Sequence, residues 1–104
     1  MEKTITLKDQ YTFYNDPGHG WLCVPVSEIA QLGIVNKISG YSYLNKDKAY
    51  LEEDCDAGVF LRARFPGLEP REVGQKHIKD IHTNNQSPIR NYAPYRLVDV
   101  ARML

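Results

Sequence analysis

This 104-residue sequence predicts an α+β fold: a single small domain with a mainly antiparallel sheet and two helices packed on one face. Three observations carry that prediction. Short runs of β-formers alternate with turn residues, as in Tyr11-Thr12-Phe13-Tyr14 before Asn15-Asp16-Pro17-Gly18. Two segments have helical spacing and stop signals, one ending at Gly33 and the other at Pro66-Gly67. The length suffices for one modest core and no second one.

Taken in order, Thr4-Ile5-Thr6-Leu7 alternates apolar and polar side chains, and with Tyr11-Thr12-Phe13-Tyr14 it reads as one interrupted strand or a hairpin. Asn15-Asp16-Pro17-Gly18 is a turn, because Pro17 presets φ and Gly18 accepts φ > 0. Residues 21–26 form a strand whose Pro25 lacks a backbone donor, so it ends there or lies on an edge. Ser27 reads as the N-cap of a short helix over 28–32, with Ile29 and Leu32 facing the core.

Residues 41–44 and 48–51 flank Asn45-Lys46-Asp47, a hairpin with a three-residue polar loop. Asp54 or Asp56 caps a helix reaching about Phe65, with Cys55, Val59, Phe60 and Ala63 on one stripe and Arg62 and Arg64 toward solvent. Residues 72–81 show a weak pattern in which neither face of a strand is apolar, which suggests an edge strand. Residues 82–104 read as a loop-rich C-terminal segment, since Pro88 and Pro94 oppose regular pairing. Val98, Ala101 and Met103 or Leu104 form a last helical turn with Asp99 and Arg102 outside. From Trp21 the order is compatible with a β-α-β-β-α-β core.

Composition narrows the function classes. Hydrophobic residues make up 42% and charged residues 25% of the chain, with no run near the ~20 apolar residues of a membrane span. Cys23 and Cys55 do not make a disulfide framework, and the first residues lack a secretory start, so a cytoplasmic setting with reduced thiols is expected. Net charge is zero but uneven. Residues 1–56 hold five lysines against nine acidic residues, net −4, and residues 57–104 carry net +4. This orients a partner if the halves stay apart in space and averages out if they interleave. With no basic excess, nucleic acid is a disfavoured partner.

Two motifs stand out. In Asp16-Pro17-Gly18-His19-Gly20-Trp21, glycines flank an imidazole just before a strand, so backbone can approach a bound group closely. His19 is therefore a candidate acid, base or ligand anchor, or the ring of a plain tight turn. Trp21 is either a recognition aromatic or part of the core. In Leu51-Glu52-Glu53-Asp54-Cys55-Asp56, four carboxylates precede a helix. Capping and the helix dipole account for Asp54 and Asp56, leaving Glu52 and Glu53 to meet a basic partner or to orient His19. Calcium-loop spacing is absent, and His77 and His82 have no partners at zinc spacing, so no metal is expected. Arg90 in Ser87-Pro88-Ile89-Arg90 is a guanidinium on a rigid segment, free for an anion or paired internally with the acidic cluster of residues 52–56. No phosphate-binding loop, nucleophile elbow or His-Glu-x-x-His is present, and no cofactor is implied.

These motifs, together with Leu32-Gly33-Ile34, Tyr41-Ser42-Tyr43, His82-Thr83-Asn84 and Ser87-Pro88-Ile89-Arg90, resemble a family of small uncharacterised proteins of phages, plasmids and bacterial genomes. The resemblance spans roughly residues 15–92 and implies a mobile-element setting without a mechanism. The leading expectation is thus an accessory protein, an inhibitor among its forms, that docks on a larger host or phage protein. Its anchors would be Trp21, Tyr43, Arg90 and Glu52, with Tyr41 and Tyr92 as further exposed aromatics, and a homodimer remains open. The alternative is a small enzyme or ligand-binding domain in which His19 and Glu53 do acid–base work and Arg90 holds an anion.

Overall fold

The computed structural model describes residues 6–104. Thr4 and Ile5 of the first expected strand lie outside the described residues, and Thr6 and Leu7 carry no strand. Strand β1 (Tyr11–Asn15) turns into β2 (Gly20–Pro25), which leads directly into helix α1 (Val26–Gln31). Strands β3 (Tyr43–Asn45) and β4 (Lys48–Glu52) form the expected hairpin. Asn45 pairs with Lys48, so the connecting loop has two residues rather than three. Helices α2 (Asp56–Arg64) and α3 (Pro70–His77), strand β5 (Ile78–His82), the two-residue strand β6 (Ala93–Pro94) and helix α4 (Leu97–Met103) complete the chain.

The six strands lie in the order β5-β1-β2-β4-β3-β6. Every pairing is antiparallel except β1 with β5, which is parallel. From β2 onward the chain follows the β-α-β-β-α-β order with α3 added, and β1 is inserted between β5 and β2. The C-terminal strands β5 and β6 take the two outer edges around strands of the first half, so the two halves of the chain interleave in the sheet.

Strand pleating sends alternate side chains to opposite faces. Tyr11, Leu22, Val24, Leu44, Ala49 and Leu51 share one face, and there they join Ile29, Ala57, Phe60, Val73 and Val100 from the four helices in a single core. Helix α3, not expected from the sequence, and α4, expected as a last helical turn, thus add to the same core. The other face carries Tyr14, Trp21, Cys23, Tyr43 and Tyr50, in register across β1–β4. The segment 83–92, which holds one 3-10 turn at Pro88–Asn91, covers part of it, with Ser87 and Ile89 buried and Tyr92 lying 5.1 Å from the Tyr50 ring. Burial there pushes the Cys23 thiol and the Tyr50 hydroxyl upward in pKa.

Several expectations are corrected by physical causes visible in the packing. Residues 70–77 are helical, started by Pro70 in the first turn and supported by a Glu72–Lys76 pair at 3.0 Å, so only residues 78–82 form the edge strand. Ser27 lies inside α1, which begins at Val26 after Pro25. Gly33 does end that segment, with a left-handed φ of 72°. In α4 the core-facing residue is Val100, while Val98 and Met103 are exposed. Pro94 pairs with Tyr43, which a residue without an N–H can do at a sheet edge. Arg64 folds back rather than pointing to solvent, and its Nε donates to Tyr11 Oη at 3.1 Å. Cys55 is exposed at the start of α2 instead of joining its buried stripe.

Gly20 leaves space that a larger residue would occupy. A Cβ there would collide with the Phe13 ring and approach Glu53 Oε2 at 3.2 Å. Gly20→Ala is therefore expected to cost roughly 1–3 kcal/mol. A urea titration giving the variant wild-type stability would show that the Phe13 ring swings aside freely.

Candidate functional site

The β1–β2 turn is built around a buried carboxylate. Asp16 Oδ1 accepts from the backbone N–H of Gly18 at 3.0 Å and of His19 at 2.9 Å, the geometry of an aspartate turn. Asp16 Oδ2 accepts from Ser87 N at 2.8 Å. Arg90 closes the arrangement as a fork, with Nε donating to Oδ2 at 2.8 Å and Nη2 to Oδ1 at 2.9 Å. The Arg90 guanidinium, helped by these backbone donors, holds the Asp16 carboxyl far below the usual carboxylate range. Asp16 in turn raises the pKa of Arg90. Arg90 is therefore paired internally, with Asp16 and not with the acidic cluster.

That clamp sets the neighbouring aromatics. Trp21 is only 3% exposed, so it is a wall of the site rather than a free recognition aromatic. The Arg90 guanidinium lies 5.6 Å from the centre of its ring, the exposed His19 ring lies 6.1 Å away, and Tyr43 meets it edge-on at 6.4 Å.

The opposite wall depends on two more carboxylates. Glu52, at the end of β4, accepts from the backbone N–H groups of Asp54, Cys55 and Asp56, each at 2.8 Å. It thereby satisfies donors that the start of α2 leaves unpaired. Asp56 is buried, and its Oδ2 accepts from Ser39 N at 3.0 Å, Ser39 Oγ at 2.6 Å and Ser42 Oγ at 2.6 Å. Ser42 Oγ accepts in turn from Glu52 N at 3.0 Å, which locks residues 39–43 to the helix start. Between these anchors Tyr41 stands 82% exposed.

The result is a cleft of about 600 Å³ that brings together His19, Trp21, Tyr43, Glu52, Glu53 and Arg90, every site residue expected from the sequence. Tyr41, Asp54 and Cys55 also line it. The carboxylate roles differ from expectation as well. Glu52, and not Asp54 or Asp56, satisfies the donors at the start of α2, Asp56 holds Ser39 and Ser42, and the carboxylates left for other work are the exposed Glu53 and Asp54. Donor atoms of Glu52, Cys55 and Asp56 lie within 4.8 Å of one another, but both carboxylates already serve as acceptors for the backbone and serines described above. Tyr92 lies on the sheet face against Tyr50, and His77 and His82 bond to Asp9 O and Asn15 Oδ1 elsewhere.

Sequence reasoning treated Asp16 as a turn residue and missed its part in the site. Its signal was the aspartate two positions before Gly18, the residue type that binds its own backbone in a turn. Among the described residues no helix is long and apolar enough to cross a membrane. Comparisons of the chain with protein-family models, with curated proteins and with solved structures find no match.

Proposed function

We propose that this chain is a small accessory protein of a phage or other mobile element, that it acts by binding a larger host or phage protein, and that the cleft is its binding surface. One observation carries the reading. The cleft combines an exposed tyrosine, two supporting aromatics and two exposed carboxylates on a framework held by the hydrogen-bonded Asp16, Glu52 and Asp56 carboxylates. Rigid aromatics beside polar groups are what interface anchors use. Among the described residues no hydrogen bond joins the His19 ring to Glu53 or Arg90, and the Arg90 charge is paired with Asp16.

The test removes exposed cleft residues only. Tyr41→Ala combined with Glu53→Gln is expected to leave stability within about 0.5 kcal/mol. It is also expected to weaken partner capture by at least about tenfold. Affinity capture from the native host, scored by mass spectrometry against the wild-type bait, is the measurement. Equal capture of the same protein by both baits would place the interface elsewhere. Trp21 and Arg90 are unsuitable for this test because their loss disturbs the fold.

A second reading, a small ligand-binding domain or enzyme using His19 and Glu53, draws on the fact that both line the same cleft with Arg90. It requires that His19→Ala change turnover or affinity for a small anionic compound while partner capture stays intact.

A further inference from the structure

We infer that the cleft takes a cation, an arginine or lysine side chain carried on a basic segment of the partner protein. This rests on the binding role proposed above and adds its chemistry.

The charges at the cleft can be accounted for group by group. Arg90 and Asp16 neutralise each other in a bidentate ion pair. The Glu52 carboxylate is spread over three backbone N–H groups. Glu53 and Asp54 are exposed, and among the described residues no salt bridge reaches either of them. What faces a visitor at the mouth is therefore negative, although the whole chain is neutral. Aromatic rings line the same cleft as these carboxylates, with Tyr41 exposed and Tyr43 half-buried. A ring face and a carboxylate together favour a guanidinium or ammonium, since the ring quadrupole attracts the cation while the carboxylate pairs with it. The protein's own Arg90 over Trp21 is the same arrangement formed internally. An anion would meet two carboxylates and an arginine whose charge Asp16 already offsets. At about 600 Å³ the cleft is in the size range of sites that hold compact ligands and extended side chains.

The experiment uses the whole chain and three synthetic decapeptides of equal length: arginine- and lysine-rich, glutamate-rich, and glycine–serine. Each is titrated into isotopically labelled protein at low salt while backbone amide and indole shifts are followed. The basic peptide should move resonances of Trp21, Tyr41, Tyr43 and Glu53, and its affinity should fall as salt rises. Glu53→Gln combined with Asp54→Asn should weaken it by about tenfold. Glu69→Gln with Asp80→Asn removes the same charge elsewhere and should change affinity by less than about twofold.

Absence of basic-peptide shifts, equal binding by the Glu53/Asp54 variant, or equal weakening by the Glu69/Asp80 variant each overturns the cation assignment. Cleft binding of the neutral or acidic peptide with comparable affinity overturns it too. If host capture nevertheless still depends on Tyr41, the binding role survives and only its chemistry is wrong. If capture also ignores Tyr41, both fail together.

Discussion

Asp16→Asn is expected to be the most damaging polar substitution in this chain. The carboxylate accepts five hydrogen bonds, three from the backbone of residues 18, 19 and 87 and two from Arg90. An amide offers one oxygen where the carboxylate offers two, and it turns an N–H₂ toward donors. The half-buried Arg90 also loses its counter-charge, and an unpaired charge costs more than an unmade neutral hydrogen bond. The loss should exceed that of any single serine in the site.

The pH dependence follows from the direction of the Asp16 shift. Its carboxyl is lowered in the folded state by Arg90 first and by the backbone donors after it. Its stabilisation is then complete above the unfolded-state pKa of about 3.9 and fades as the pH falls below that value. Wild-type and Asp16→Asn denaturation midpoints should differ fully at pH 7 and converge below about pH 4. A gap that stays constant down to low pH would mean the ionised carboxylate is not what stabilises the turn.

The parts legible in the sequence were those set by local rules. Residues 21–26 read as a strand ending near Pro25, and β2 does run from Gly20 to Pro25. Turn chemistry located the β1–β2 connection, and Pro66-Gly67 marked the end of α2. Helix α3 was not legible because it buries only Val73, so a 3.6-residue stripe never forms. Its placement comes from tertiary contacts instead, including the His77 ring stacked on Phe65 at 4.1 Å.

The site was half legible for a related reason. Residue type and glycine spacing pointed to His19, Trp21, Glu53 and Arg90. Which carboxylate meets which cation is decided by topology: Asp16 and Arg90 are 74 positions apart. Nor does strand parity say which face of a sheet is covered. Trp21 is buried where Arg90, on the short 3-10 turn of Pro88–Asn91, lies over its ring.

The other large expected effect is on the far wall of the cleft. Asp56→Ala strands Ser39 N, Ser39 Oγ and Ser42 Oγ, and Ser42 is fully buried. Each unsatisfied buried donor costs about 1–3 kcal/mol. Allowing the Ser39 hydroxyl to turn to water, the total is about 3–5 kcal/mol. For a domain of this size that lowers the melting temperature by more than about 10 °C. Ser42→Ala should cost less, because it orphans Glu52 N and frees one of three acceptor positions on Asp56. Since the two residues share one network, the double variant should be markedly less destabilised than the sum of the singles. Additive effects, or an Asp56→Ala variant within about 1 kcal/mol of wild type, would show that packing of Phe60 and Ala57 fixes the start of α2 without this network. If the network does hold it, Asp56→Ala should also loosen residues 39–43 and weaken binding at Tyr41, although Asp56 itself is buried away from any partner.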